Sequence, residues 1–204
     1  MSIAEARTWK VSRAFKYVGS GTTPKSGEPE YYDEGSINWL ITGDLTDREI
    51  KHITKKITPK AIVDYPTLKI YPTGSIVIAM YGATIGKVGL LTQPSAVNQA
   101  CCVLVPDRKV LPRYALYYFL ASKRQLIDLG VGGGQPNISQ DIVKSFKIIV
   151  PEVSKQSQIV SYLDAKTSLA DKMITAKNHT HTHTYQSSAK RLLRMPCLGV
   201  EVQL

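Results

Sequence analysis

The chain has 204 residues, 43% of them hydrophobic, which is enough to build one sizeable core. Its 26 Lys and Arg outnumber 16 Asp and Glu, and the net charge of +10 favours a polyanionic partner such as nucleic acid, although a membrane surface would fit the charge equally. Its apolar runs are shorter than the roughly 18 residues of a membrane span and its N-terminus lacks a secretory pattern, so we expect a cytoplasmic, globular protein without a membrane partner.

The first half of the chain predicts loops and short strands. Residues 17–50 are rich in Gly, Thr, Pro, Asp and Tyr and predict a loop, a short strand and another loop. Between residues 68 and 105, four apolar or β-branched runs divided by turns predict strands of one sheet. These runs are TLKIYPTG, SIVIAMYG, KVGLLT and QACCVLVP. The basic excess lies mainly in the middle of the chain, with nine basic and four acidic residues between 61 and 150.

The second half of the chain predicts two helices. In LPRYALYYFLASKRQLIDLG, apolar residues recur at helical spacing between Pro112 near the start and Gly130 just past the end, which predicts one helix. A last strand, SFKIIVP, precedes a longer helix over 154–176. Four apolar residues spaced by four, seven and three positions form a stripe along that helix and predict a pairing surface, although Lys166 interrupts the stripe. They are Ile159, Leu163, Ala170 and Met173.

The cysteine and histidine patterns do not indicate a metal site. Cys101 and Cys102 are adjacent in an apolar run and Cys197 stands alone, which fits neither a disulfide framework nor a zinc site. The HTHTH segment at 179–183 offers imidazoles that could share one face of an extended segment. Because no carboxylate or cysteine lies close by, a solvated low-complexity stretch is the favoured interpretation, and we expect no metal.

The segment MYGATIGKVG at 80–89 raises the question of a phosphate-binding loop, because glycines allow close backbone approach and Lys87 supplies a cation. A nucleotide cofactor is disfavoured, because the segment lacks the spacing of a P-loop and ends in Val88 instead of Ser or Thr. Neither the motifs of a DNA methyltransferase nor the clustered acids of a nuclease occur, since VPDRKV carries only Asp107. We therefore expect no catalytic residues.

Seven segments follow one another from about residue 10 to residue 176. They are GTTPK, INWLITGDL, YPTGSIVIAMYGATIGKVG, VNQACCVLVP, YALYYFL, GGGQPNIS and IIVPEVSKQSQIVSYLD. Each is a handful of common residues, but in their order and spacing they resemble the target recognition domain of the specificity subunit of type I restriction-modification systems.

This resemblance implies an α+β fold, with a mixed-sheet DNA target recognition domain over 1–152, a long C-terminal helix over 153–177 for dimerisation or contact with the methylation subunit, and an irregular tail over 178–204. It implies a non-catalytic subunit that reads one half of a bipartite double-stranded DNA target. The methylation subunit would bring S-adenosylmethionine, the restriction subunit would bring ATP hydrolysis, and this chain would hold no cofactor. Because a standard subunit carries two recognition domains, this chain resembles a half-subunit that would form a homodimer, or a truncated product.

The resemblance also places candidate DNA contacts on exposed loops. They are Thr22, Thr23, Lys25, Tyr81, Thr84, Lys87, Asn98, Gln99, Gln135 and Asn137. The loop at 80–89 would also expose backbone N–H groups at Gly82 and Gly86. Each candidate has a structural role beside the DNA contact: Pro24 would simply set a turn, the loop at 80–89 would form a hairpin, and the amides would satisfy backbone groups or form turns instead of contacting adenine.

Three further features have ordinary structural explanations that we prefer or leave open. Trp39 is expected in the core instead of under a stacked base, and Asp44 is expected to cap a turn instead of contacting cytosine. A run of lysines would either contact phosphates or form a solvated face. These lysines are Lys51, Lys55, Lys56 and Lys60.

Two other functions compete with sequence-specific recognition. The chain could bind nucleic acid without sequence preference on the same fold, which competition with random DNA would reveal. It could also be a DNA methyltransferase itself, although the motifs for cofactor and flipped base are missing.

Overall fold

The computed structural model describes residues 6–131 and 137–176, with only the backbone for 172–176. These residues form ten short strands, six α-helices and three single-turn 3₁₀ helices. The strands are β1 (Arg7–Lys10), β2 (Phe15–Ser20), β3 (Ile37–Leu40), β4 (Arg48–Ile50), β5 (Lys56–Ile57), β6 (Ile76–Ala79), β7 (Val88–Leu91), β8 (Ala96–Val97), β9 (Cys101–Pro106) and β10 (Lys147–Val150). The helices are α1 (Val11–Ala14), α2 (Pro59–Asp64), α3 (Pro112–Ala121), α4 (Lys123–Asp128), α5 (Gln140–Ser145) and α6 (Val153–Ala176).

Five strands form the central sheet in the order β2-β9-β6-β7-β4, with β4 and β7 parallel and the other pairs antiparallel. Strand β6 is buried on both faces. Ile76 and Ile78 pack into a cluster formed with the helices, whereas Val77 and Ala79 pack into a second cluster with β3 and β8. A continuous apolar run such as IVIA is the pattern expected of a strand that is covered on both sides.

Two smaller sheets complete the fold. Strands β5, β3 and β8 form a three-stranded sheet against one face of the central sheet, and β1 pairs with β10 in a separate antiparallel ribbon. Because the sheets are mixed and the described chain ends in a 24-residue helix, the structure confirms the α+β class with a long C-terminal helix.

Two expectations about elements are wrong, and one is confirmed. The run at 67–74 is not a strand, because Pro66 precedes it and Pro72 lies within it, and it makes only the isolated bridge from Tyr71 to Ser95. The other three runs form β6, β7 and β9, which share the central sheet as predicted. The predicted single helix is broken at Ser122, whose ψ of 8° separates α3 from α4.

The two cysteines of β9 are buried core residues. Cys101 and Cys102 are free and buried, and burial raises the pKa of the Cys102 thiol to about 12. Over residues 6–131 and 137–176 there is no group of three His, Cys, Asp or Glu that could hold a metal ion. Within the same ranges, no helix combines the length and the apolarity needed to cross a membrane.

Helix α6 is attached to the domain by a buried glutamine in its first turn. The Gln156 side chain is fully buried, and its Nε2 donates to the carbonyl oxygens of Lys109 at 2.6 Å and Pro151 at 2.8 Å. Its Oε1 accepts the N–H of Leu111 at 2.8 Å. Both amide hydrogens are therefore used. The bonds to Lys109 and Leu111 connect the start of α6 to the segment between β9 and α3, and the bond to Pro151 connects it to the residues just before the helix.

Replacing Gln156 by Met should lower the free energy of unfolding by about 2–4 kcal/mol, because the nearly isosteric side chain removes the partner of two carbonyls and one N–H in a partly buried site. Urea denaturation would measure the change. Gln158→Met is the matched control, since Gln158 is exposed on the same helix and its replacement should change stability by less than about 0.5 kcal/mol. Equal effects of the two substitutions would contradict the role of Gln156.

Candidate nucleic-acid interface

Three loops that carry candidate residues meet at one end of the central sheet. Strand β2 ends with Ser20 opposite Cys102, and β6 ends with Ala79 opposite Cys101. The loops at 21–25, 80–87 and 98–100 therefore emerge side by side, and we call this end of the sheet the loop end. The tertiary structure thus brings the loop at 21–25 next to the loop at 98–100, more than 70 residues away in the sequence.

The loop at 21–25 lies against the loop at 98–100 because Gly21 allows close backbone contact. A Cβ atom on Gly21 would lie 1.9 Å from the carbonyl oxygen of Val97, so that a larger residue would force the two loops apart. The next residue, Thr22, donates its N–H to the same carbonyl at 3.1 Å. Across this contact the Thr23 hydroxyl donates to Oε1 of Gln99. Two candidates from distant segments are therefore direct partners.

The cation of this loop is partly neutralised. Lys25 Nζ is 2.7 Å from Glu28 Oε1, and both side chains are exposed. The Lys25 N–H donates to the Tyr65 hydroxyl at 2.9 Å, and the carbonyl of Pro24 accepts the Tyr32 hydroxyl at 2.6 Å. The turn interpretation of Pro24 is consistent with these bonds, which hold the loop in place while leaving the threonines at the surface.

Trp39 supports this loop from below. Its side chain is 5% exposed, its Nε1 donates to the carbonyl of Thr22 at 3.2 Å, and its ring centroid lies 5.8 Å from that of Tyr32. This confirms that Trp39 belongs to the core and does not present a face to a base. Asp44 has the expected capping role, because its Oδ2 accepts the Ile41 N–H and its Oδ1 accepts the Thr54 hydroxyl.

The two neighbouring amides differ in exposure. Asn98 is half-buried, its backbone N–H donates to Leu40, and its side-chain Oδ1 is buried without a hydrogen-bond partner among the described residues. Gln99 is exposed. Of the pair, Gln99 is therefore the amide that a ligand in the solvent can reach, while the main chain of Asn98 joins the loop to the second layer.

The loop at 80–87 is a hairpin between β6 and β7, as expected. A 3₁₀ turn at Gly82–Thr84 closes it, with Ile85 N–H on Gly82 and Lys87 N–H on Thr84. Thr84 and Lys87 are partly exposed, and burial raises the pKa of the partly covered Tyr81. The hairpin accordingly places a hydroxyl and a cation at the loop end.

The expectation of an exposed N–H at Gly86 is wrong. This N–H donates to the carbonyl of Ala79 at 2.9 Å, and Gly86 is buried. A Cβ atom there would lie 2.6 Å from Cδ1 of Ile127. The glycine therefore provides room for helix α4 and does not provide a phosphate-binding donor.

The remaining candidates are distributed unevenly. Asn137 lies beside the hairpin, because the N–H of Ile138 donates to the carbonyl of Met80 at 2.8 Å, whereas Gln135 lies outside the described residues. The lysine run does not act as one group, since Lys60 pairs with Asp64 on α2 at 2.7 Å. The other three lysines of the run are all exposed: Lys51 and Lys55 on the loop between β4 and β5, and Lys56 at the start of β5.

Helix α6 uses part of its predicted pairing stripe on its own domain. Ile159 and Leu163 are 8% and 3% exposed and pack into the core with α3, so the structure gives them a role in attaching the helix instead of in forming a partner surface. Ala170 is partly exposed, and for Met173 only the backbone is described. Farther along the exposed side, Leu169 is 54% exposed.

A polar network, which the sequence analysis missed, holds the middle of α6. Asp164 Oδ1 accepts the Tyr117 hydroxyl at 2.6 Å and Arg113 Nη2 at 2.7 Å, and Arg113 also contacts Glu49 of β4. Two turns farther along, Asp171 accepts both terminal nitrogens of Arg48 at 3.0 and 3.3 Å. The sequence signal for this network was the presence of polar residues beside the apolar stripe of α6. Two of them, Asp164 and Thr167, face α3 instead of solvent.

Comparison with known proteins points in one direction. A family model described as the type I restriction modification DNA specificity domain matches residues 9–180. The chain is 29% identical over 170 residues to the specificity subunit of the type I restriction enzyme EcoR124I/EcoR124II of Escherichia coli, covering 80% of this chain and 41% of that protein. It is 30% identical over 152 residues to the MjaIX specificity subunit of Methanocaldococcus jannaschii, covering 72% of this chain and 34% of that protein.

Solved structures show the same fold. The crystal structure of the HsdS subunit from Thermoanaerobacter tengcongensis matches with a TM-score of 0.68 and 17% identity, covering 94% of this chain and 43% of that chain. A structure from a study of complex assembly and conformational transition of the type I R-M system matches with a TM-score of 0.69, 17% identity, and coverage of 94% and 44%. The chain therefore spans less than half the length of these relatives.

The hairpin at the loop end offers a test of what its two glycines do. Gly82 and Gly86 both have positive φ, 78° and 71°, but only Gly86 has a neighbour within 4 Å of an added Cβ atom. Gly82→Ala should cost about 1 kcal/mol from backbone strain alone. Gly86→Ala should cost about 2–4 kcal/mol, because Ile127 must also move. Thermal or urea unfolding of both variants measures the difference, and equal costs would refute the packing role of Gly86.

Proposed function

The chain belongs to the family of type I restriction modification DNA specificity domains, and from this we propose that it is the DNA-recognition part of a type I restriction-modification complex, reading one half of a bipartite target. The observation that supports this most directly is the loop end, where hydroxyl, amide and ammonium groups from three loops share one exposed surface. A protein that reads DNA needs such groups for phosphates and base edges, and needs no catalytic side chains.

Within the loop end we propose that Gln99 contacts a base edge and Thr23 orients it. The hydroxyl of Thr23 donates to Oε1 of Gln99, which leaves the Nε2 hydrogens for an acceptor on a base. Thr22, Thr84, Lys25 and Lys87 are then the groups that contact phosphates or neighbouring bases. Asn137 and Tyr81 flank this surface at the hairpin.

We propose that the chemistry of the complex resides on other subunits. The methylation subunit supplies S-adenosylmethionine, the restriction subunit supplies ATP hydrolysis and cleavage, and this chain is non-catalytic and acts in the cytoplasm. Helix α6 is the element that positions these partners relative to the DNA. At 24 residues it is about 36 Å long, close to one turn of duplex. Its length suits it to set the distance between two half-sites.

A homodimer would complete the bipartite arrangement, because this chain has the length of less than half of its relatives. Two copies related by two-fold symmetry would read a palindromic, gapped target. Non-specific nucleic-acid binding is the second candidate function. The net charge of +10 favours it, because electrostatic attraction to phosphates does not depend on the DNA sequence.

Competition binding separates these two functions. After selection of preferred duplexes from random DNA, the chain should retain its preferred duplex against excess random competitor. Gln99→Leu should reduce this discrimination about 10- to 100-fold, because one base contact is lost. Gln93→Leu is the matched control, since Gln93 follows β7 at the other end of the sheet and should leave discrimination unchanged. Equal binding to all duplexes by the unaltered chain would refute sequence-specific recognition.

Solution mass tests the proposed assembly. Light scattering of the chain, alone and with the methylation subunit encoded beside it, should give a dimer or a complex that contains two copies. Selected targets should then be palindromic with a central gap. A monomer under both conditions, or asymmetric selected sites, would contradict the half-subunit model.

A further inference from the structure

A second basic surface lies at the opposite end of the central sheet. Helix α1 leads directly into β2, and the loop after β9 leaves the sheet where β2 begins, because Phe15 pairs with Pro106. Six basic residues and one tryptophan lie on the segments that meet near this point, and we call the group the Trp9 surface. Its basic members are Arg7, Lys10, Arg13, Arg108, Lys109 and Lys147.

Trp9 holds two of these cations in place. The guanidinium carbon of Arg13 lies 4.6 Å from the ring centroid and Nζ of Lys109 lies 5.3 Å from it. The ring itself is half-buried and packs against the helix-side core. Cation–π contacts of this kind restrain long side chains before any ligand arrives, so less conformational entropy is lost on binding.

Two further lysines of the surface face each other, which does not stabilise the fold. Lys10 lies directly opposite Lys147 in the β1–β10 ribbon, and both are exposed. Like charges in facing positions destabilise a strand pair. The nearby carboxylate of Asp107 accepts the backbone N–H of Arg108. The two lysines repel each other in the absence of an anion, and an anion bound between them would relieve this.

The cations of the Trp9 surface are not neutralised by carboxylates. Over residues 6–131 and 137–176, none of the six basic side chains forms a salt bridge. By contrast Lys25 at the loop end and Arg113 of α3 are paired with carboxylates. The end of the sheet away from the candidate base contacts therefore carries six cations that no carboxylate of the described residues neutralises.

We propose that the Trp9 surface binds the phosphate backbone of duplex DNA without reading its sequence. The partner class rests on the proposed function. Charge complementarity favours DNA over a protein partner, because the exposed large apolar residues of the described chain include none in β1 or α1. Strand β2 separates this surface from the loop end by five residue steps, about 17 Å or half a turn of duplex. The DNA contacted here therefore flanks the half-site.

The salt dependence of binding tests this proposal. Fluorescence anisotropy with a 40-base-pair duplex between about 50 and 200 mM salt gives the slope of log affinity against log salt. Arg13→Gln with Lys109→Gln should reduce the magnitude of this slope by about 1.8, since each lost phosphate contact changes it by about 0.9. The ratio of affinities for preferred and random duplex should stay unchanged. The matched control is Arg124→Gln with Lys166→Gln, which removes two exposed charges elsewhere and should leave the slope unchanged.

A second variant separates binding from folding. Lys10→Gln with Lys147→Gln should raise the melting temperature, because the facing charges no longer repel, and should weaken binding to random duplex. Opposite changes in stability and affinity would not follow from damage to the fold. An unchanged slope in the Arg13 and Lys109 variant overturns the proposal even if the chain discriminates between sequences. Absence of discrimination in the unaltered chain refutes the proposed function alone, since the slope comparison is independent of it.

Discussion

The burial of strand β6 on both faces is the constraint on which the rest of the structure depends. Its alternate side chains enter two separate cores, one with the helices and one with the second sheet. Because neither face can be exposed, the neighbours β9 and β7 are held in register with it and their loops must emerge at its two ends. The candidate base contacts at one end and the Trp9 surface at the other follow from this one arrangement.

Polar contacts fix the position and rotation of α6 on the domain, which apolar packing alone does not. Ile159 and Leu163 bury one stripe of the helix, which holds it against the domain without specifying how far it slides or rotates. Gln156, with its amide fully hydrogen-bonded, and Asp164, bound to Arg113 and Tyr117, restrict both movements. The surface ion pairs contribute little stability individually, since their side chains are about 40% exposed, but several of them together specify one orientation. An element that sets the distance between two half-sites needs such an orientation.

The distribution of charge connects the two surfaces. At the loop end the groups are mainly hydroxyls and amides, whose directional hydrogen bonds can distinguish one base from another. Lys25 is already paired with Glu28 there. At the Trp9 surface the cations have no carboxylate partner, and they suit the phosphate backbone, which is charged but is the same for every sequence. Affinity and specificity would then be supplied by separate parts of the domain, which is consistent with the general division between phosphate and base contacts in DNA recognition.

The strongly patterned elements and the chemical class of the loops could be predicted from the amino-acid sequence alone. The unbroken apolar runs of β6 and β9 and the stripe of α6 could be predicted because burial leaves a periodic trace, and the burial of Trp39 followed from its size. Four contacts became visible only in the folded chain: Thr23 meets Gln99, Ile159 and Leu163 face their own domain, Gly86 makes room for Ile127, and Arg13 and Lys109 share one indole. These contacts join segments that are distant in the chain, and a sequence pattern reports how much of a side chain is buried but not which neighbour buries it.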